Sequence, residues 1–177
     1  MIIGICGLGL IGGSFARAYS AAGHAVLALE SNRSVLFQAV KAGVVQGLLT
    51  KRSASSCDLI LICLYPQAAV EFLESFGPFF GPVPLVIDCC GTKRALTQEG
   101  MSAAQRHGFT FLGGHPMAGT QYSGFAHSRA NLFRGAPMVI VPPEGADQAL
   151  LDRVKAVLSP AGFGCLTVTT AQRHDQI

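Results

Sequence analysis

His115 lies in the run Phe111-Leu112-Gly113-Gly114-His115-Pro116-Met117-Ala118-Gly119-Thr120-Gln121-Tyr122-Ser123-Gly124. An imidazole there can take or give a proton near neutral pH, since its ordinary pKa is about 6.5. Pro116 lacks an N–H and drives His115 toward extended backbone, so the apolar strand before it is expected to end here with the ring facing a pocket. Gly119 and Gly124 allow turns that a ligand can approach closely.

A second group of residues could hold phosphate. Ile2-Ile3-Gly4-Ile5-Cys6 reads as an apolar strand, Gly7-Leu8-Gly9-Leu10-Ile11-Gly12 as a G-x-G-x-x-G turn, and the residues after it as a helix. In that context Gly7 makes the tight turn, Gly9 admits a pyrophosphate to the backbone, and Gly12 lets helix and strand pack closely. The helix N-terminus, with its aligned peptide dipoles, would then receive the phosphates. A second apolar strand, His24 to Leu29, ends in Glu30, where a ribose-binding carboxylate belongs. That carboxylate favours NAD over NADP, because it would repel a 2′-phosphate; Arg33 is the counter-argument, unless it is a solvated first-turn residue of the next helix.

These groups need a scaffold, and the hydrophobic pattern supplies one. Later strands are expected at Leu59 to Cys63, Val83 to Asp88, Phe109 to Gly113, Met138 to Val141 and Gly164 to Val168. Helices are expected at Gly12 to Ala22, Arg33 to Ala42, Gln67 to Phe76, Thr92 to His107 and Ala146 to Ala161. Strands alternating with helices predict an α/β fold, a doubly wound, mostly parallel sheet of the Rossmann type. Gly77 to Pro84, with three prolines and two glycines, reads as a turn. In such sheets ligands bind beyond the carboxyl ends of the strands, which brings Leu64-Tyr65-Pro66, Asp88 to Lys93 and His115 to one rim. Thr92 is equally a candidate N-cap.

The 177 residues, 50% hydrophobic and 13% charged, suit one compact domain with a real core. A net charge of +3 with scattered Lys and Arg gives no reason to expect a nucleic-acid or membrane surface. No apolar run approaches the roughly 18 residues of a membrane span, and no basic leader precedes Ile2, so a cytoplasmic protein is expected. The six cysteines, Cys6, Cys57, Cys63, Cys89, Cys90 and Cys165, make no C-x-x-C pair and read as small buried hydrophobes, with no metal site.

Taken together, the fingerprint, Tyr65-Pro66, Asp88 to Lys93, the Gly113 to Gly124 run and His174-Asp175 resemble the prephenate dehydrogenase family, arogenate-using relatives included, over essentially the whole chain. The most specific match is Gly114-His115-Pro116-Met117-Ala118-Gly119-Thr120 with Ser123-Gly124. The resemblance implies oxidative decarboxylation of prephenate to 4-hydroxyphenylpyruvate, in tyrosine biosynthesis, with NAD taking a hydride from the ring carbon that bears the hydroxyl. His115 would be the base for the hydroxyl proton. Gly7, Gly9, Gly12 and Glu30 would hold the dinucleotide, with Leu10, Ile11, Ser31, Arg33, Leu64 and Tyr65 beside it and Pro66, Asp88 and Pro116 at its border. Thr120, Gln121 and Ser123 would face the substrate.

The sequence departs from the family pattern at two places. Gly91 stands where many relatives carry a serine that helps to orient hydroxyl and nicotinamide, and Gln121 stands where some carry a glutamate at the mouth of the site. The resemblance also implies a dinucleotide domain over residues 1–168, with 169–177 opening the first helix of an all-helical domain that dimerises and supplies an arginine for the substrate carboxylate. Without that domain the chain is expected to bind NAD and turn over prephenate poorly, and the mean hydropathy of +0.42 fits an apolar face that awaits a partner. Competing readings are arogenate dehydrogenase, another NAD(P)-dependent dehydrogenase or imine reductase, and a non-catalytic dinucleotide-binding regulatory module.

Overall fold

A computed structural model describes residues 1–176; Ile177, the last residue of the expected helical segment, lies outside the described residues. The elements in chain order are β1 (Ile2–Cys6), α1 (Leu10–Ala21), β2 (Ala25–Leu29), α2 (Arg33–Lys41), β3 (Gly47–Leu48), β4 (Leu59–Ile62) and α3 (Pro66–Phe80). They continue with β5 (Leu85–Asp88), α4 (Arg94–His107), β6 (Thr110–Pro116), β7 (Pro137–Val141), α5 (Gln148–Leu158), β8 (Cys165–Val168) and the single turn α6 (Ala171–His174). The sheet has the order β3-β2-β1-β4-β5-β6-β7-β8. Its first six strands are parallel, in the doubly wound order 3-2-1-4-5-6. Then β7 runs antiparallel to β6, and β8 runs parallel to β7.

Both faces of the sheet are covered, so the central strands are apolar throughout and successive residues feed opposite cores. Leu59, Leu61, Leu85 and Ile87 pack with Phe15 and Tyr19 of α1 and Val154 of α5. Ile60, Ile62 and Val86 pack with Phe72 and Phe80 of α3 and Leu96 of α4. Cys89 and Cys90 likewise fall into opposite cores, as neighbours on an extended chain must. Phe15 stacks on Phe133 at 4.2 Å between centroids, and the Tyr19 hydroxyl donates to the Val157 carbonyl at 2.6 Å, tying α1 to α5. No helix among the described residues is long and apolar enough to cross a membrane.

Four expectations change. The helix expected to end at Phe76 runs to Phe80 with Pro78 inside it. Phe72, Phe76 and Phe80 recur at helical spacing on one face, and Phe80 meets Phe109 edge-on at 4.9 Å. That packing holds the last turn against the hydrogen bond a proline removes. The helix expected from Thr92 begins at Arg94, and Thr92 is not its cap: the Asp175 carboxylate accepts from the amides of Lys93 (3.0 Å) and Arg94 (2.9 Å). The helix expected to reach Ala161 leaves α geometry at Leu158, before Pro160, and ends in a 3₁₀ turn.

The fourth concerns the strand carrying His115, which does not stop before Pro116. It continues to Pro116 because β7 pairs with it antiparallel, Gly114 opposite Ile140 and His115 opposite Val139. Gly114 makes this possible, since a Cβ there would sit 2.6 Å from the Asp88 carbonyl oxygen and 2.8 Å from Met138 Cε.

Candidate functional site

Two clefts of about 440 Å³ each open along the carboxyl ends of the strands, and both reach Gly91. The first opens over the glycine turn at the head of α1. Gly7 turns the chain at φ +85°, and its amide donates to the Leu29 carbonyl at 2.8 Å. A Cβ on Gly12 would lie 1.8 Å from the Gly7 carbonyl oxygen, so no side chain fits where α1 crosses the loop. Gly9 is the N-cap of α1, and a Cβ there would meet no other heavy atom within 4 Å. No side chain caps α1, and its first turn holds no acidic residue. Its free N–H groups and open glycine therefore fit a diphosphate.

Around this cradle, Leu10, Ile11, Leu64, Tyr65 and Pro66 line the first cleft, as does Glu30. Tyr65 is 88% exposed and available to a ligand, and Pro66 opens α3. Glu30 Oε2 accepts from the Leu8 amide (2.7 Å) and Oε1 from the Asn32 amide (2.9 Å), which fixes the carboxylate against the glycine loop. Ser31 and Arg33 are exposed and do not line it.

The second cleft is built of side chains. Gly91, Thr92, His115, Met117, Val139, His174 and Asp175 line it. The partly buried His115 has Nδ1 2.8 Å from His174 Nε2, and His174 Nδ1 is 2.9 Å from Asp175 Oδ1. The other His115 nitrogen, Nε2, is 3.8 Å from where a Cβ on Gly91 would stand. A serine at that position would therefore sit beside the imidazole, and glycine leaves that space open. Burial, then His174 and then the Lys93 ammonium lower the pKa of His115, which keeps its ring neutral at neutral pH. Asp175 is held down to about 2, first by His174 and then by the amides of Lys93 and Arg94.

The remaining expected site residues lie elsewhere. Asp88 is fully buried behind the rim, not on the cofactor's border: it pairs with the equally buried Lys93 ammonium and accepts from the Cys90 amide at 3.0 Å. Burial raises its pKa, and the Lys93 charge opposes the rise. Pro116 is buried and lines neither cleft. Ser123 lines the first cleft with Gly124. Thr120 and Gln121 are exposed on the loop after β6, the Thr120 hydroxyl closing a local turn with Tyr122. Among the described residues no three His, Cys, Asp or Glu side chains gather as metal ligands do.

The sequence marks His174-Asp175 as part of the family resemblance and as the opening of a helix, but the contact of His174 with His115 is not legible in it, because no local pattern ties residues 59 apart.

The family model for the prephenate dehydrogenase nucleotide-binding domain matches residues 15–165. The chain is 28% identical over 174 residues to the probable prephenate dehydrogenase NovF of Streptomyces niveus, covering 97% of this chain and 46% of that protein. It is also similar to the crystal structure of Synechocystis arogenate dehydrogenase, with TM-score 0.88, 32% identity, and coverage of 99% of this chain and 62% of that one. A likeness of fold alone, at 24% identity and TM-score 0.86, relates it to prephenate dehydrogenase from Aquifex aeolicus in complex with hydroxyphenyl propionate and NAD+, covering 99% and 62% of the two chains. The chain thus spans about half the length of this curated relative.

Proposed function

Since the chain belongs to the prephenate dehydrogenase family, we propose that it forms the dinucleotide-binding half, with the catalytic base, of an enzyme that oxidatively decarboxylates prephenate or arogenate with NAD. The observation that carries this reading is the meeting of the two clefts at Gly91, with the free nitrogen of His115 facing that junction.

NAD, when bound, supplies the acceptor for the hydride leaving the ring carbon. Gly9 and the open N-terminus of α1 would hold its phosphates, on the turn that Gly7 makes. Glu30, already fixed by two amides, stands where ribose hydroxyls can donate to it and where a 2′-phosphate is repelled. His115 Nε2 accepts the proton of the substrate hydroxyl as that carbon becomes a carbonyl. The carboxylate then leaves as carbon dioxide, its bonding pair passing through the ring to the carbonyl oxygen, which takes back the proton from His115 as the ring becomes aromatic. Such a base contributes about 10²- to 10⁴-fold. The arginine that the resemblance assigns to a helical domain would bind the substrate carboxylate.

Arogenate has a specific claim as substrate, because the 32% identical structure is an arogenate dehydrogenase. The test is NADH formation with prephenate and with arogenate, for the chain and for the protein with its helical domain, beside the His115→Asn variant. The variant is expected to lose about 10²- to 10⁴-fold in turnover and to keep its NAD affinity by calorimetry. Unchanged turnover in the variant would overturn the assignment of the base. NAD binding without turnover in any form would leave a regulatory module.

A further inference from the structure

The Asp175 carboxylate accepts from the Lys93 amide (3.0 Å), the Arg94 amide (2.9 Å) and the His174 ring (2.9 Å). An ionised carboxylate can only accept, so the hydrogen of that last bond belongs to His174 Nδ1. In a neutral imidazole the second nitrogen is then an acceptor, which leaves His174 Nε2 with a lone pair. The 2.8 Å contact between His174 Nε2 and His115 Nδ1 therefore requires His115 to donate. With its hydrogen spent on Nδ1, His115 keeps its lone pair on Nε2, the nitrogen that faces Gly91.

We propose that His174 and Asp175 are positioning residues which hold His115 in the Nδ1–H tautomer, with Nε2 unprotonated and turned to the junction of the two clefts. This rests on the reading of His115 as the base. Without the pair, the ring would be free to carry its hydrogen on Nε2, where it could not accept a proton from substrate. A charged His174 would have the same effect, because both its nitrogens would donate and His115 Nδ1 would have to accept. The groups facing His115 oppose that state unequally. The buried Lys93 ammonium on the α4 side disfavours an added positive charge on His115, the Asp175 carboxylate faces His174, and Val139 across the ladder from β7 carries no charge.

A merely structural role, in which Asp175 caps α4 and His174 fills space, would leave the tautomer indifferent to His174. The discriminating measurement is the long-range ¹⁵N–¹H spectrum of the imidazoles, taken near pH 8 on the 18.5 kDa chain with neither dinucleotide nor substrate, about 1.5 units above the ordinary histidine pKa. The wild type is expected to show His115 with a pyrrole-type Nδ1 and a pyridine-type Nε2. His174→Leu is expected to lose that pattern, and His174→Gln to keep it, because the glutamine carbonyl can still accept from His115 Nδ1. In the active protein His174→Leu should lower kcat about 10- to 100-fold, by analogy with histidines oriented on metals, with NAD affinity retained.

A wild-type His115 protonated on Nε2, or an Nδ1–H tautomer that survives His174→Leu, would overturn the inference. The functional reading fails separately. If His115→Asn left turnover intact while the tautomer was as stated, the dehydrogenase mechanism would fall and the tautomer assignment would stand. If His115→Asn abolished turnover while the wild-type ring was Nε2–H, positioning alone would fall.

Discussion

The cleft at Gly7 to Ile11 offers its ligand amides, an open helix end and one tethered carboxylate, whereas the cleft at His115 offers a chain of side chains drawn from β6 and α6. The phosphate cradle of the first is set by residues within a few positions of one another. The second exists only once the antiparallel turn of the sheet and the last helical turn are in place. A cradle for phosphate needs no particular side chain, only backbone that side chains do not obstruct. A proton-transfer site needs one nitrogen free and the other committed, and that takes partners from elsewhere in the chain.

Beside both lies the buried pair of Lys93 and Asp88, whose Asp88 carboxylate accepts from the amides of Cys90 and Gly114 and so ties the rim of one cleft to the strand of the other. Removing one member of a buried pair strands the other, at a cost of about 3–5 kcal/mol. Lys93→Met is expected to show that loss in urea unfolding, and Lys93→Met with Asp88→Asn to recover most of it. A single variant within about 1 kcal/mol of wild type would mean that the clefts do not share this support.

The glycines offer a sharper division, this time inside the first cleft. Gly12→Ala forces a methyl against the Gly7 carbonyl oxygen and is expected to cost about 1–3 kcal/mol of stability, as overpacking does. Gly9→Ala meets nothing in the protein and should leave the melting temperature unchanged while weakening NAD in calorimetry, since the methyl projects where phosphate would approach. Equal effects of both substitutions on stability would contradict the view that one glycine serves the fold and the other the ligand.

The same division governs what could be read in advance. Strand and helix alternation, the glycine spacing and the placement of Glu30 were all legible, because each depends on residues adjacent in sequence. The two-residue β3 was not, being too short to show a period, and Pro78 read as a stop because its phenylalanine partners act through tertiary packing. Thr92 had the residue type of a cap, yet the cap comes from Asp175, 81 positions away from the Arg94 amide it accepts. His115 was found from its local run. Its partner His174 was named only for a resemblance, and the contact that gives it a role lies across 59 residues. Asp88 closed a strand at the expected rim, but its side chain turned inward to a lysine that pattern could not assign to it.

The smallest effect concerns acid, and it falls on one cleft only. Burial, His174 and Lys93 lower the folded-state pKa of His115 below its ordinary value, so the unfolded chain binds its proton first. As pH falls through about 6.5 toward the folded value, the unfolded state gains protons that the folded state refuses, and stability declines over that window and levels off below it. Turnover should follow the folded group: kcat/KM falls on the acid side with a midpoint below about 6.5, as neutral Nε2 is lost. Among the described residues no histidine lines the first cleft, and histidine is the side chain that ordinarily titrates between about pH 5 and 8. NAD affinity measured by calorimetry should therefore stay level across that range while turnover drops. A loss of affinity with the same midpoint as turnover would mean that the His115 ring supports the dinucleotide cleft directly, and that the two regions are less separate than their materials suggest.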